Sequence, residues 1–168
     1  MIRAIIMTSQ SRTADFRCDL SIEGPCLRLS ISGRVDEYAR FPAVSEPAPG
    51  QIRLDLGQVW GLNSVGIREW ARWLRSLPRA CTVIYEQCPV PVVEQLNAAP
   101  GLLTANVRID SFQMPYHCEH CNREIIASIA TTDALASAVP SSVQCPGCDS
   151  VATPDVVVEQ YLGFLADR

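Results

Sequence analysis

The chain contains no lysine: all 14 basic residues among its 168 are arginine, a mark of genome composition with little functional weight. It has no surplus of positive charge either. Eighteen acidic residues leave a net charge of -4, which gives no general attraction to a polyanion, and nucleic-acid binders show a basic face. No apolar run approaches the ~20 residues of a membrane span. The opening MIRAIIMTSQSR has a short apolar patch but no small-residue cleavage site, so it does not read as a signal peptide. These absences together predict a cytoplasmic protein. Histidine is scarce: His117 and His120 both flank cysteines, which leaves no imidazole base for a nucleophile pair. Asp36, Asp55 and Asp110 are not visibly paired, so no catalytic residue is assigned and the chain is not expected to be an enzyme.

What is present suits a folded protein, with 48% hydrophobic and 19% charged residues. Residues 16–22, FRCDLSI, alternate: Phe16, Cys18, Leu20 and Ile22 share one face. After the turn at EGP, Leu27, Leu29 and Ile31 alternate with Arg28, Ser30 and Ser32. Two half-buried strands in a hairpin follow, with Cys18 and Cys26 as core cysteines. FPAVSEPAPG, residues 41–50, is a loop, and IRLDL at 52–56 is a third strand. Ile67, Trp70, Ala71, Leu74 and Leu77 recur at helical spacing, opposite Arg68, Arg72 and Arg75, and Pro78 ends that helix. CTVIY at 81–85 reads as strand, PVVEQLN from Pro91 as a short helix, and VRIDSF at 107–112 as a fifth strand. Short helical connections imply parallel neighbours with right-handed crossovers. The expected fold class is therefore α/β, a mixed sheet packed with helices.

From residue 117 the character changes. Cys118-x2-Cys121 and Cys145-x2-Cys148 form two knuckles 23 residues apart. A two-residue gap lets a tight turn direct two thiolates at one ion, and two such turns complete a tetrahedron. Zinc is the expected ion, with iron or a redox pair as the alternative. Four thiolates leave no open position for a catalytic water, so the metal is structural. His117 and His120 are read as surface or neighbouring residues rather than ligands. The 23 intervening residues can supply the short strands of a zinc ribbon. Thr153, Pro154 and Asp155 suit a helix start, with Val158, Tyr161, Leu162 and Leu165 on one face, although DVVV also reads as strand. Domain limits of 1–116 and 117–168 follow. The second part has two arginines against seven acidic residues, a net of -5, so phosphate contacts are not expected from it.

GLNSVG, residues 61–66, opens the first helix. It is no nucleophile elbow, because Leu62 stands where that turn needs glycine. The run LDLGQVWGLNSVG followed by an amphipathic helix, with SGRVDE at 32–37 after the second strand, resembles the STAS family of anti-sigma-factor antagonists. That family's third strand ends in an Asp-Ser-Ser/Thr-Gly turn. The resemblance covers roughly residues 14–112, and the tail looks like a bacterial subgroup with a C-terminal zinc ribbon. It implies a STAS-like mixed sheet and a signalling module that docks a partner protein, an anti-sigma-like kinase or a subunit of a larger regulatory complex. The docking surface it implies is Asn63, Ser64, Arg68, Arg72 and Trp73. The chain departs from the motif at Asn63, where the acid is expected, and at Val65, where the second hydroxyl is expected. Asn63 can still cap the helix, and Ser64 is expected to satisfy a backbone N–H at the first turn. A phosphate at Ser64 is physically allowed there. A thiol or zinc redox sensor and a nucleic-acid-binding ribbon are the alternative functions.

Overall fold

A computed structural model describes residues 4–5, 15–44, 49–137 and 139–166. The signal-peptide reading of residues 1–12 therefore falls outside the described residues, apart from Ala4–Ile5. So does the middle of the 41–50 loop.

The described chain is mixed α/β, with two five-stranded sheets and four α-helices. The pair at Ala4–Ile5, β1, belongs to the second sheet. β2 (Arg17–Glu23) and β3 (Cys26–Val35) form the expected hairpin, closed by Gly24 at φ +61 and Pro25. β4 (Gln51–Leu62), β5 (Thr82–Glu86) and β6 (Val107–Ile109) follow parallel to β3 in the order β2-β3-β4-β5-β6. β4 outruns its expected 52–56 span and continues to Leu62, and α1 (Ser64–Ser76) begins after a single intervening residue. α2 (Val90–Ala98) connects β5 to β6. Successive parallel strands added on one side, joined by right-handed crossovers, place both helices on the same face of the sheet.

That face is apolar because alternate residues point to it. Leu27, Leu29 and Ile31 of β3, Ile52, Leu54 and Leu56 of β4, and Val83 and Tyr85 of β5 are buried there. Each such aliphatic side chain contributes about 1.5–3 kcal/mol relative to exposure. Trp70, Ala71 and Leu74 of α1 and Leu77 just beyond its end are buried as the helical spacing predicts, with Ile67 packed at the margin. β2 departs from expectation. Leu20 and Ile22 are 53% and 76% exposed, although they pair with Leu29 and Leu27. They lie on the apolar face but at the sheet edge, beyond the cover of the helices. Cys18 and Cys26 are half-buried, and only Cys18 packs on the core.

The segment expected as one strand over 107–112 divides at Asp110. β6 stops at Ile109 and β7 (Ser111–Cys118) starts the second sheet. β8 (Arg123–Ala130), α3 (Thr131–Ser137), β9 (Val143–Gln144) and β10 (Val151–Pro154) follow, in the antiparallel order β1-β8-β7-β10-β9. The tail is corrected here as well. Thr153 and Pro154 do not begin a helix, because they pair with His117 and Tyr116. α4 spans only Val158–Tyr161, followed by a 3-10 turn at Gly163–Leu165.

The two sheets share one hydrophobic core. Cys88 bridges Phe112 in parallel, Phe112 meets Phe164 edge-on at 5.4 Å, and the Tyr161 hydroxyl donates to the Gln113 carbonyl at 2.6 Å. The Asn97 side chain of α2 donates to the Tyr161 carbonyl at 3.0 Å. The C-terminal turn thus ties α2 to β7.

Candidate metal centre and docking turn

The β7–β8 hairpin carries the first knuckle and the β9–β10 hairpin the second. Cys118 ends β7, Cys121 sits in the turn that Asn122 closes at φ +51, and Cys145 and Cys148 lie in the turn between β9 and β10. Pairing of β10 with β7 brings the turns together. The four sulfurs lie within 4.8 Å of one another. Cys118 to Cys148 and Cys121 to Cys145 are each 3.5 Å. A tetrahedron of zinc–sulfur bonds of about 2.3 Å has edges of about 3.8 Å, so the set can hold one metal ion. His117 and His120 stand outside this cluster, as expected.

The bonds around Cys148 and Cys145 suit thiolates. Hydrogen bonds from the Ser150 backbone and hydroxyl hold the Cys148 thiol down at about 6. The Gly147 N–H approaches the Cys145 sulfur at 3.5 Å. Cys121 is pushed up to about 12, chiefly by its hydrogen bond to Cys145. Four sulfurs this close cannot all be ionised without a cation, and a bound divalent ion removes that obstacle. Cys118 and Cys145 are buried, whereas Cys121 is exposed. Ser150 escaped the sequence reading; its place two residues beyond the second knuckle is the only signal for it.

The second constellation is the start of α1. Asn63 is the N-cap, extended at φ -122, and its Oδ1 accepts from the Gly66 N–H at 2.9 Å. The capping role expected of Ser64 belongs to Asn63, because only the residue preceding the helix can fold its side chain back onto the first N–H groups. Ser64 is the first helical residue and is exposed. The Asn63 Nδ2 donates to Glu37 at 2.7 Å, and that bond is the main cause holding the Glu37 carboxyl below its ordinary value. Gly66 presses on the end of β3: a Cβ there would stand 2.1 Å from the Val35 carbonyl oxygen. No other residue fits that contact.

Arg68 and Arg72 are exposed, and Arg72 pairs with Glu69 at 2.5 Å. Trp73 is not an open anchor. It is 7% exposed, its indole N–H donates to the Pro42 carbonyl at 2.8 Å, and Phe41 stacks on it at 5.3 Å. The loop after β3 folds over the helix and closes that position. The same loop makes a cleft of about 470 Å³ against α1, lined among others by Glu37, Arg40, Phe41, Glu69 and Arg72. Tyr38, 73% exposed, stands in the same loop. Arg40 and Tyr38 escaped the sequence reading, since nothing local in DEYARF says that it packs on a helix 30 residues on.

On the sheet face away from the helices, Glu86 is 8% exposed and engages both Arg28, at 2.9 Å, and Arg53. Arg28 also reaches Asp55 at 3.5 Å. The hydrogen bond that Arg53 donates to Glu86 is the leading cause that raises the Arg53 guanidinium above its ordinary value. These four charges neutralise one another on the sheet.

No helix among the described residues is long and apolar enough to cross a membrane. Compared with known families and with curated proteins, the chain matches no family model and no curated sequence.

Proposed function

We propose that the chain is a non-enzymatic, cytoplasmic docking module of the anti-sigma-factor-antagonist type, a STAS-like α/β unit braced by a structural zinc ribbon. The observation that carries this reading is the start of α1. An asparagine-capped helix with a bare serine at its first position is pinned by Gly66 against β3, beside a cleft lined by Arg40 and Arg72 together with Glu37 and Glu69, with exposed Tyr38 in the same loop. Such a turn is rigid and offers a helix N-terminus to an acidic or phosphorylated group. Tyrosine and arginine are the side chains that anchor protein interfaces.

The partner surface is assigned to Asn63, Ser64, Arg68 and Arg72, extended by Tyr38 and Arg40 and without the covered Trp73. The strand order, a hairpin followed by parallel strands with two helices on one face, supports the STAS-like reading. The two hairpin knuckles and their sulfur spacing support zinc. With its thiolates complete, the metal's role is to hold β7 against β10 rather than to activate water.

The test is retention of a native partner on the immobilised full-length protein. Arg68→Glu combined with Arg72→Glu is expected to weaken retention by at least about thirtyfold. Arg108→Glu, an exposed change on β6 away from α1, is expected to leave it unchanged. Equal retention by both variants overturns the assignment of the surface.

A further inference from the structure

The outer edge of β2 has no role in metal binding or in docking at α1. Among the described residues no strand pairs with it. Its side chains are exposed except half-buried Cys18, and they include Leu20 and Ile22. An unpaired edge carrying apolar side chains is a template for another strand.

The backbone of this edge is directed outward in a defined pattern. Gly24 at φ +61 is the first central residue of a two-residue turn, the type II′ position. Such a turn closes on a hydrogen-bonded pair, here Glu23 and Cys26. Antiparallel pairs alternate, so Arg17, Asp19, Ser21 and Glu23 direct their backbone groups to β3. Cys18, Leu20 and Ile22 direct theirs away from the sheet.

We propose that this edge is a homodimer interface, in which β2 pairs antiparallel with β2 of a second copy about a twofold axis through Leu20. The occupant is a second copy because the strand RCDLSIE is complementary to its own reverse. With the axis at Leu20, Arg17 faces Glu23 of the other copy at both ends, Asp19 faces Ser21, Cys18 faces Ile22 and Leu20 meets its equivalent. All seven residues of the strand pair, and the three outward residues of each copy exchange about six backbone hydrogen bonds. Other registers are worse. An axis at Asp19 sets that carboxylate against its own copy, and an axis at Ser21 sets Asp19 against Glu23; like charges directly opposite destabilise a sheet. An axis at Cys18 pairs Arg17 with Asp19 but engages only residues 17–19 of the strand and leaves Ile22 bare. The Leu20 register sets an apolar neighbour beside each of the two exposed apolar side chains and satisfies the edge in one step, joining two five-stranded sheets into one of ten strands.

Sedimentation equilibrium of the full chain, at low salt and from about 1 to 200 µM, reads the dimer directly. Arg17→Glu and Glu23→Arg each place like charges across both end pairs and should weaken association roughly tenfold or more. The double variant Arg17→Glu/Glu23→Arg exchanges the charges and should restore it to within about threefold of the parent. Both residues are exposed, and an unchanged thermal transition in each variant confirms that folding is intact. Hydrogen exchange should show the Leu20 and Ile22 amides slowing as concentration rises. A monomer throughout the range, or a double variant no better than the single ones, overturns the proposal. An effect of Arg17→Glu without one of Glu23→Arg assigns the Cys18 register instead. Concentration-independent protection of those amides in a monomer assigns the edge to this chain's own residues 6–14 and overturns the dimer.

Discussion

Substitution of Gly66 by alanine tests the architecture of the turn at the start of α1 most directly. In the interior of an exposed helix, glycine to alanine normally stabilises by about 0.5–1 kcal/mol. Here the sign should reverse. The new Cβ would stand 2.1 Å from the Val35 carbonyl oxygen, 2.4 Å from its carbon and 2.7 Å from the Asp36 nitrogen. The neighbours are backbone, and the Val35 carbonyl also accepts the Asn63 N–H at 3.1 Å. Relief therefore requires the start of α1 to move away from β3. Such overpacking costs about 1–3 kcal/mol, and disturbance of the Asn63 cap adds about 1 kcal/mol. A loss of about 2–4 kcal/mol should lower the urea midpoint by about 1–2 M for a slope of about 2 kcal/mol/M. Gly61→Ala is the control, since its nearest contact would be the Arg34 side chain at 3.9 Å, and it should stay within about 0.5 kcal/mol of the parent. Urea titrations of both variants, followed by tryptophan fluorescence, check the difference. A Gly66→Ala protein as stable as the parent, or more stable, would refute the close approach of α1 to β3 and with it the rigid turn.

Three further outcomes are expected. Asn63→Ala should cost about 1 kcal/mol through loss of the cap, whereas Ser64→Ala, at an exposed first helical position, should stay within about 0.5 kcal/mol; thermal denaturation of the two variants ranks them. The freshly purified, reduced protein should carry about one zinc per chain by elemental analysis, and Cys145→Ser should abolish that content and lower the melting temperature of the whole chain, because β7 and the turn after α4 share the core of the first sheet. Stability should fall as the pH rises past about 9: burial pushes the Cys18 thiol up to about 11 and the Cys81 and Cys88 thiols up as well, so the unfolded chain releases protons that the native state retains. Urea midpoints at pH 8 and pH 10 measure this, and an unchanged midpoint contradicts it.

Much of the first sheet and all of the cysteine cluster were legible in the sequence, because their signals are local. Two residues between cysteines, steps of three and four from one apolar residue of α1 to the next on its face, and alternation in β3 and β4 are set by turn, helix and strand geometry within a few bonds. The capping competence of Asn63 was legible for the same reason; its priority over Ser64 depended on where the helix begins.

What only the tertiary structure decided depends on partners distant in the chain. The break at Asp110 and the strand at 151–154 exist because β7 pairs with β8 and β10, 30 or more residues on in the case of β10. Trp73 lies at the margin of its helix stripe, and the fold of the Phe41 loop onto it, not its own spacing, closed it off. Glu86 found one arginine on the adjacent strand and a second on the strand beyond it, a match that no single segment announces. Leu20 and Ile22 show the same limit from the other side. Periodicity states which face of a strand is apolar, but whether anything covers that face depends on how far the helices extend across the sheet, and at β2 they do not reach.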